Sequence, residues 1–164
     1  MSALIISKHV KEGAELAHKY KLNSTITDFI QQHHGTGLIA FFYQKALEKA
    51  KEDEILNEDD FRYPGPKPQT KETAIVLLAD SVEASSRALE EPTPASLINL
   101  VKKIMNNKFI DGQLDECDLT LKDMNKIADA FVRVLMAVFH TRINYHLKEG
   151  AQGANGNGKS KLRK

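Results

Sequence analysis

The chain has 164 residues, of which 41% are hydrophobic and 27% charged, and its formal net charge is +1. Four of the positive charges lie in the last six residues, at Lys159, Lys161, Arg163 and Lys164, which leaves 19 basic against 22 acidic residues elsewhere. A body with this balance lacks the broad basic face that duplex binding needs, so we expect no nucleic-acid polymer as a partner.

Apolar residues recur at helical spacing along most of the chain, and no alternating pattern typical of strands is present. The first three helices are predicted over about 4–20, 25–34 and 38–51. Ser24 or Thr25 is the expected N-cap of the second helix, and Gly35 is its expected stop.

An irregular stretch is predicted over about 52–69, because three prolines lie within residues 64–68. A fourth helix follows over about 70–89. Its centre, residues 75–79, is apolar on all sides, which predicts that this helix is the buried one.

The last two helices are predicted from their cap signals. The fifth begins after the N-cap Thr93, with Pro94 in its first turn, and ends before Gly112. The sixth opens at Thr120, whose partner Asp123 completes a capping-box pattern. Together these elements predict an all-α bundle of about six helices.

The sixth helix is expected to end near Tyr145, and residues 150–164 contain almost nothing apolar. We therefore predict one domain over 1–149 and a disordered basic tail over 150–164. No run of about 18 apolar residues is present, so this chain itself is expected to make no membrane contact. The single cysteine, Cys117, excludes an internal disulfide and favours a cytoplasmic location.

His33 and His34 are adjacent at the predicted end of the second helix, and Asp80 is a lone carboxylate within an apolar helix. His9 on the first helix completes four candidate ligands from three segments. A divalent cation would offset the cost of burying the carboxylate, so this set predicts a metal site. Because neighbours on a helix point about 100° apart, the histidine pair is expected to reach two ions or two faces of one cluster.

Each candidate ligand also has a structural interpretation. One of His33 and His34 would lie near the negative end of the helix dipole, with the other in solvent. Asp80 would form a salt bridge with a lysine or a helix end, and His9 would be a surface histidine like His18. The residues alone leave open whether the four groups converge.

Four segments of the chain resemble one known family. They are residues 30–36, 60–72 with the run Arg-Tyr-Pro-Gly-Pro-Lys-Pro-Gln, 78–87 and 111–120. Together they closely resemble the cytosolic catalytic domain of PgpH-type, seven-transmembrane HD-domain proteins, which are bacterial phosphodiesterases that hydrolyse cyclic di-AMP. The resemblance extends over about residues 4–147 and implies the C-terminal part of an HD-type helical fold.

The resemblance implies that His9, His33, His34 and Asp80 ligate two divalent ions, iron or manganese. The family's earlier histidine and its His-Asp pair have no counterpart here and would lie before residue 1. The chain is therefore expected to be a fragment with impaired activity, from a membrane-anchored parent protein. In the intact domain, a metal-bridging hydroxide would open cyclic di-AMP to a linear dinucleotide.

Beyond the metal ligands, the proline-rich loop is the best candidate for substrate contact. Arg62 and Lys67 are predicted to contact phosphate, Tyr63 to stack on adenine, and Ser81 to support a ligand or contact phosphate. The alternative is that the loop packs rigidly against the fourth helix, with Arg62 and Lys67 in solvent.

Two other functions remain open from the sequence. One is a non-catalytic, nucleotide-sensing regulatory module that uses the pocket without turnover. The other is a different HD-type nucleotide phosphohydrolase, against which the proline-rich loop argues.

Overall fold

The structure of the protein is a computed structural model that describes residues 3–51, 55–90 and 92–149. Within these residues the chain forms six α-helices, one short 3₁₀ helix and no β-strand. The elements in chain order are α1 (Ala3–Lys19), α2 (Ser24–Gln32), α3 (Ala40–Leu47), the 3₁₀ helix (Glu58–Phe61), α4 (Lys71–Ser86), α5 (Pro94–Ile110) and α6 (Leu121–Glu149). The predicted all-α bundle is confirmed. The predicted tail at 150–164 lies outside the described residues, so the domain boundary stays a prediction.

The N-cap of α2 differs from the predicted one. Asn23 is the cap, and its side-chain oxygen accepts the backbone N–H of Ile26 at 2.9 Å. The prediction of Ser24 or Thr25 is therefore wrong. An asparagine amide oxygen reaches a free N–H of the first turn as well as a serine hydroxyl does, so both residue types compete for this position.

α3 is shorter than predicted at both ends and begins only at Ala40. Leu38 forms an isolated antiparallel bridge with Arg62, and the N–H of Ile39 donates to the carbonyl of Phe61 at 2.8 Å. This extended pairing excludes helical backbone before α3. It also holds the proline-rich loop against the segment that follows α2.

The predicted caps of α5 and α6 are confirmed. Thr93 forms a capping box with Ser96, and Pro94 lies in the first turn of α5. The N–H of Thr120 donates to Asp123 Oδ2 at 3.2 Å, and the N–H of Asp123 donates to Thr120 Oγ1 at 3.1 Å. Asp123 Oδ2 also accepts from Lys71 Nζ at 2.9 Å, which ties the start of α6 to the start of α4.

α4 packs against α2, α5 and α6 and forms the centre of the core. The core cluster contains Leu77, Leu78, Val82, Leu97, Val101, Met105, Leu135 and Phe139. Leu77 and Leu78 are fully buried, whereas Ile75 and Val76 are 37% and 38% exposed. The prediction that α4 is the buried helix is therefore confirmed, although one face of it stays partly exposed at Ile75 and Val76.

Leu77→Ala is expected to lower the free energy of unfolding by about 2–5 kcal/mol, because it leaves a cavity at the fully buried centre of α4. Leu16→Ala is the matched control, since Leu16 on α1 is 52% exposed, and it should cost much less. Urea unfolding followed by circular dichroism measures both variants. Equal losses would contradict the central position of α4.

Hydrogen bonds from Lys71 and Thr120 lower the pKa of Asp123 to about 2. Because the pKa of an unfolded aspartate is about 3.9, this group's contribution to stability is complete above about pH 4 and is lost as the pH falls toward 2. Asp123→Asn should therefore show a flatter Tm profile over that acid range than the unsubstituted protein. Asp129→Asn, at an exposed position of the same helix, should keep the steep profile, and flattening in both variants would contradict this assignment.

Candidate metal centre

The adjacent histidines lie in the turn that ends α2. His33 is the C-cap, with its backbone N–H donating to the carbonyl of Phe29 at 3.2 Å, and His34 follows beyond the helix. Gly35 has a φ of +55°, which glycine adopts without strain, so the helix stops there as predicted. Because His34 lies outside the helix, the divergence of helical neighbours does not apply, and the two ring centroids are 4.0 Å apart.

His9 on α1 faces this pair. Its Nε2 lies 3.3 Å from His33 Nε2, and one ligand nitrogen from each of His9, His33 and His34 lies within 4.8 Å of the others. α1 and α2 approach closely because Gly13 has no side chain: a Cβ there would lie 2.9 Å from Ile30 Cγ2. Three of the four predicted ligands therefore converge, although His9 itself is exposed.

The ring orientations of His9 and His33 leave their facing nitrogens as acceptors. His9 Nδ1 lies 2.6 Å from the carbonyl of Ile6, and His33 Nδ1 lies 2.8 Å from the carbonyl of Ile30. A carbonyl only accepts, so each ring donates through Nδ1 and, when neutral, presents a lone pair at Nε2. Two lone pairs at 3.3 Å repel unless a cation or proton lies between them, so this arrangement fits a metal ion.

The protonation of His33 also suits a ligand. Burial is the largest cause that lowers the pKa of His33, followed by the charge of His34. A lowered pKa keeps this imidazole neutral near pH 7, and only the neutral ring can ligate a metal.

Asp80 contacts the cluster through one histidine. Its Oδ2 lies 3.3 Å from His34 Nδ1, and its side chain is 43% exposed. The expectation of a desolvated carboxylate is therefore wrong, because α4 presents this residue to an open cleft rather than to the core. The hydrogen bond with His34 is the largest cause that holds the pKa of Asp80 below its ordinary value. Asp80 lies outside the close group of three, so its role as a ligand stays a prediction.

Tyr63 packs on the histidine turn. Its ring stacks on that of His34, with centroids 4.2 Å apart and planes inclined by 21°. Burial, and then the charge of Asp80, raise the pKa of the Tyr63 hydroxyl. The predicted adenine stacking therefore has only the other ring face available and stays a prediction.

Arg62 is fixed by a network that engages all five of its N–H donors. Nε and Nη2 donate to Glu58 Oε1 at 3.2 and 2.5 Å, and Nη1 and Nη2 donate to the two Asp111 oxygens at 3.3 and 2.9 Å. Nη1 also donates to the carbonyl of Thr36 at 3.0 Å. Hydrogen bonding to Asp111 is the largest cause that raises the pKa of Arg62. The alternative in which Arg62 lies in solvent is therefore wrong. Contact with a phosphate would require Arg62 to break some of its hydrogen bonds to Glu58, Asp111 or Thr36.

The other two predicted contact residues differ in their surroundings. Lys67 is 26% exposed, and its Nζ lies 3.8 Å from Asp115 Oδ2, so it too is paired rather than free in solvent. Ser81 is partly buried next to Asp80 and lines the same cleft as His34. Substrate contact by Lys67 and Ser81 stays a prediction.

Gln113 is a residue next to the candidate centre that the sequence analysis did not identify. It is fully buried, and its Oε1 accepts the N–H of Thr36 at 2.9 Å. Its Nε2 donates to Thr36 Oγ1 and to Asp111 Oδ2, both at 3.0 Å. A buried amide of this kind holds the turn just after the two histidines. The only signal was its place within segment 111–120, which carries the family resemblance.

The sequence analysis also did not identify Lys108, because in the sequence it is one of several polar residues of α5. It lines an open cleft of about 730 Å³ together with His34, Tyr63, Asp80, Ser81 and Asp111. Burial is the largest cause that lowers the pKa of Lys108, against the raising effect of Asp111 and Asp80. The cleft therefore joins the histidine cluster to a basic group.

The sequence agrees with this geometry. Residues 3–85 match the sequence model of the HD domain, and the chain belongs to the HD domain family. HD domains are typically metal-dependent, and the histidine cluster is the matching feature here. Among the described residues, no helix combines the length and apolar character needed to cross a membrane.

Within this family the chain is homologous to the PgpH cyclic-di-AMP phosphodiesterases. It is 46% identical over 145 residues to cyclic-di-AMP phosphodiesterase PgpH of Bacillus subtilis (strain 168), covering 88% of this chain and 20% of that protein. It is 43% identical over 141 residues to the protein of the same name from Listeria monocytogenes serotype 1/2a (strain 10403S), covering 86% and 19%. The chain thus spans about a fifth of these relatives.

Two solved structures share the fold. The crystal structure of the L. monocytogenes phosphodiesterase PgpH HD domain matches with a TM-score of 0.77 and 41% identity, covering 84% of this chain and 63% of that chain. The same domain in complex with cyclic di-AMP matches with a TM-score of 0.78 and 41% identity, covering 83% and 62%.

Gln113→Leu is expected to lower the free energy of unfolding by about 1–3 kcal/mol for each buried partner left unpaired, chiefly the N–H of Thr36. Gln44→Leu is the matched control, because Gln44 is exposed on α3. Thermal and urea unfolding measure both variants, and hydrogen exchange at Thr36 reports the loss of the bond directly. Unchanged exchange at Thr36 would contradict the role assigned to Gln113.

Proposed function

We propose that the chain is part of the catalytic domain of a metal-dependent phosphodiesterase that hydrolyses cyclic di-AMP to a linear dinucleotide. The observation that carries this proposal is the group of three imidazoles beside Asp80, in a chain homologous to PgpH phosphodiesterases. A related HD domain has been solved with cyclic di-AMP, which supports this nucleotide as the substrate. In the reaction the oxygen of water bonds to phosphorus, one P–O ester bond breaks, and the leaving oxygen takes a proton.

The centre is proposed to hold two divalent ions, iron or manganese, with His9, His33, His34 and Asp80 as ligands. Imidazole nitrogens and carboxylate oxygens suit both metals. The three imidazoles offer ligand atoms that all lie within 4.8 Å of one another, which supports a shared centre. When bound, such ions supply positive charge to a phosphate oxygen and lower the pKa of water.

The surrounding residues orient these ligands. Asp80 accepts from His34 Nδ1, and Tyr63 packs flat on the same ring, so both fix the plane of His34. The carbonyls of Ile6 and Ile30 orient His9 and His33 in the same manner. The adjoining cleft of about 730 Å³ falls within the range of small-ligand sites.

On the same resemblance, we propose that this domain works on the cytosolic side of a membrane-anchored parent protein. The resemblance also implies a further histidine and a His-Asp pair that are not among the 164 residues. The activity of the whole protein therefore has to be tested on a chain extended upstream as well as on this one.

Both chains are loaded with Mn²⁺ or Fe²⁺ and assayed for bound metal and for cyclic di-AMP hydrolysis. The extended chain is expected to hold metal and to turn over, whereas the 164-residue chain should hold little metal and turn over poorly, because it lacks the implied His-Asp pair. In the extended chain, His34→Gln should lower kcat/KM at least ~100-fold by removing a ligand. His18→Gln, at an exposed position of α1, is the matched control and should change neither reading.

Metal content is measured by mass spectrometry and the linear product by chromatography. An extended chain that holds no metal and cuts nothing contradicts the proposed function. Tight binding of cyclic di-AMP without turnover would favour a sensing module, and hydrolysis of other nucleotides alone would favour a different HD-type phosphohydrolase.

A further inference from the structure

Lys108 differs from the other basic residues near the candidate centre in having no partner. Within the part of the chain that the structure describes, its Nζ has no hydrogen bond and no ion pair within 4.0 Å, although it lines the same cleft as His34 and Asp80. We propose that Lys108 binds a phosphodiester group of the cyclic dinucleotide in this cleft. The inference rests on the proposed function and deepens it.

The competing cation of the cleft, Arg62, has no donor left for a ligand. Its five N–H groups are distributed over Glu58, Asp111 and the carbonyl of Thr36. Glu58, Arg62 and Asp111 together carry a net negative charge, so this network does not attract an anion. An entering phosphate would meet free donors only at Lys108 among the basic groups described in this cleft.

The backbone makes room for Lys108 in its present position. A Cβ on Gly37 would lie 2.8 Å from Lys108 Nζ, so the ammonium group occupies space that any larger residue at 37 would take. Gly37 lies three residues after His34, and its N–H donates to the carbonyl of His34 at 3.1 Å. The ammonium group is therefore placed against the same turn that presents the histidine.

The charged groups around Lys108 do not form an ion pair with its ammonium group. Asp80 and Asp111 attract its charge, but neither carboxylate lies within ion-pair distance, and burial and Arg62 oppose the charged form. A partly desolvated ammonium with three free donors gains more from a phosphate oxygen than an ammonium already in a salt bridge. This setting favours a ligand-binding lysine over one that only neutralises carboxylates.

The test compares Lys108→Met and Lys108→Gln with Lys108→Arg, and uses Lys103→Met at an exposed position of α5 as the matched control. Steady-state kinetics with cyclic di-AMP are measured in the upstream-extended chain, and calorimetric binding of cyclic di-AMP in the 164-residue chain. The two neutral variants should raise KM and Kd about 10- to 100-fold, because a charged hydrogen bond to the ligand is lost. kcat should change less than about 3-fold, because the contact is made equally in substrate and transition state.

Lys108→Arg should recover most of the affinity, and Lys103→Met should change nothing. Metal content and Tm should stay unchanged in all four variants. Unchanged KM and Kd in both neutral variants would overturn the inference, as would a loss explained by lower metal content or lower Tm. If the unsubstituted extended chain holds no metal and cuts nothing, the proposed function itself fails, which is a separate outcome.

Discussion

The turn after α2 depends on one buried amide. Gln113 accepts the N–H of Thr36 and donates to its hydroxyl, while Arg62 binds the carbonyl of the same residue. The backbone of Thr36 is thus held from two sides, by the segment after α5 and by the proline-rich loop. Because an unpaired buried polar group is costly, this turn has little freedom to move. The same hydrogen bonds therefore also restrict the backbone of the two histidines that precede Thr36.

The ligand nitrogens are oriented by a local arrangement that both helices share. His9 and His33 each donate from Nδ1 to the carbonyl three residues earlier, on α1 and on α2 respectively. The acceptor carbonyls belong to α1 and α2, which pack against each other, and α2 packs in turn against α4. The two Nε2 atoms therefore face each other across the close packing of α1 and α2.

Local signals in the sequence were sufficient for most of the fold. Cap residues such as Thr93, and the Thr120–Asp123 box, act within one helical turn, so their outcome could be predicted. The exposed face of α4 at Ile75 and Val76 could not, because it depends on which neighbours pack there. An apolar run shows that a helix is hydrophobic but not which side stays uncovered.

The features of the candidate site also differ in whether the sequence could predict them. The residue types left the convergence of His9, His33 and His34 open, the family resemblance implied it, and the structure brings the three together. The pairing of Arg62 and the position of Lys108 were missed, because both depend on contacts between segments far apart in sequence. The sequence does not show whether the N–H donors of a basic side chain are free or already hydrogen-bonded within the protein.

The absent side chain at Gly13 has a consequence for the dimensions of the centre. Ile30 packs into the space at Gly13, and its carbonyl also orients His33, so one residue couples helix spacing to ligand direction. A methyl group at position 13 would lie 2.9 Å from Ile30 Cγ2, so the Ile30 side chain or the two helices would have to move. The spacing of the two opposing imidazoles therefore depends on a residue one helical turn from His9 that is not itself a candidate ligand.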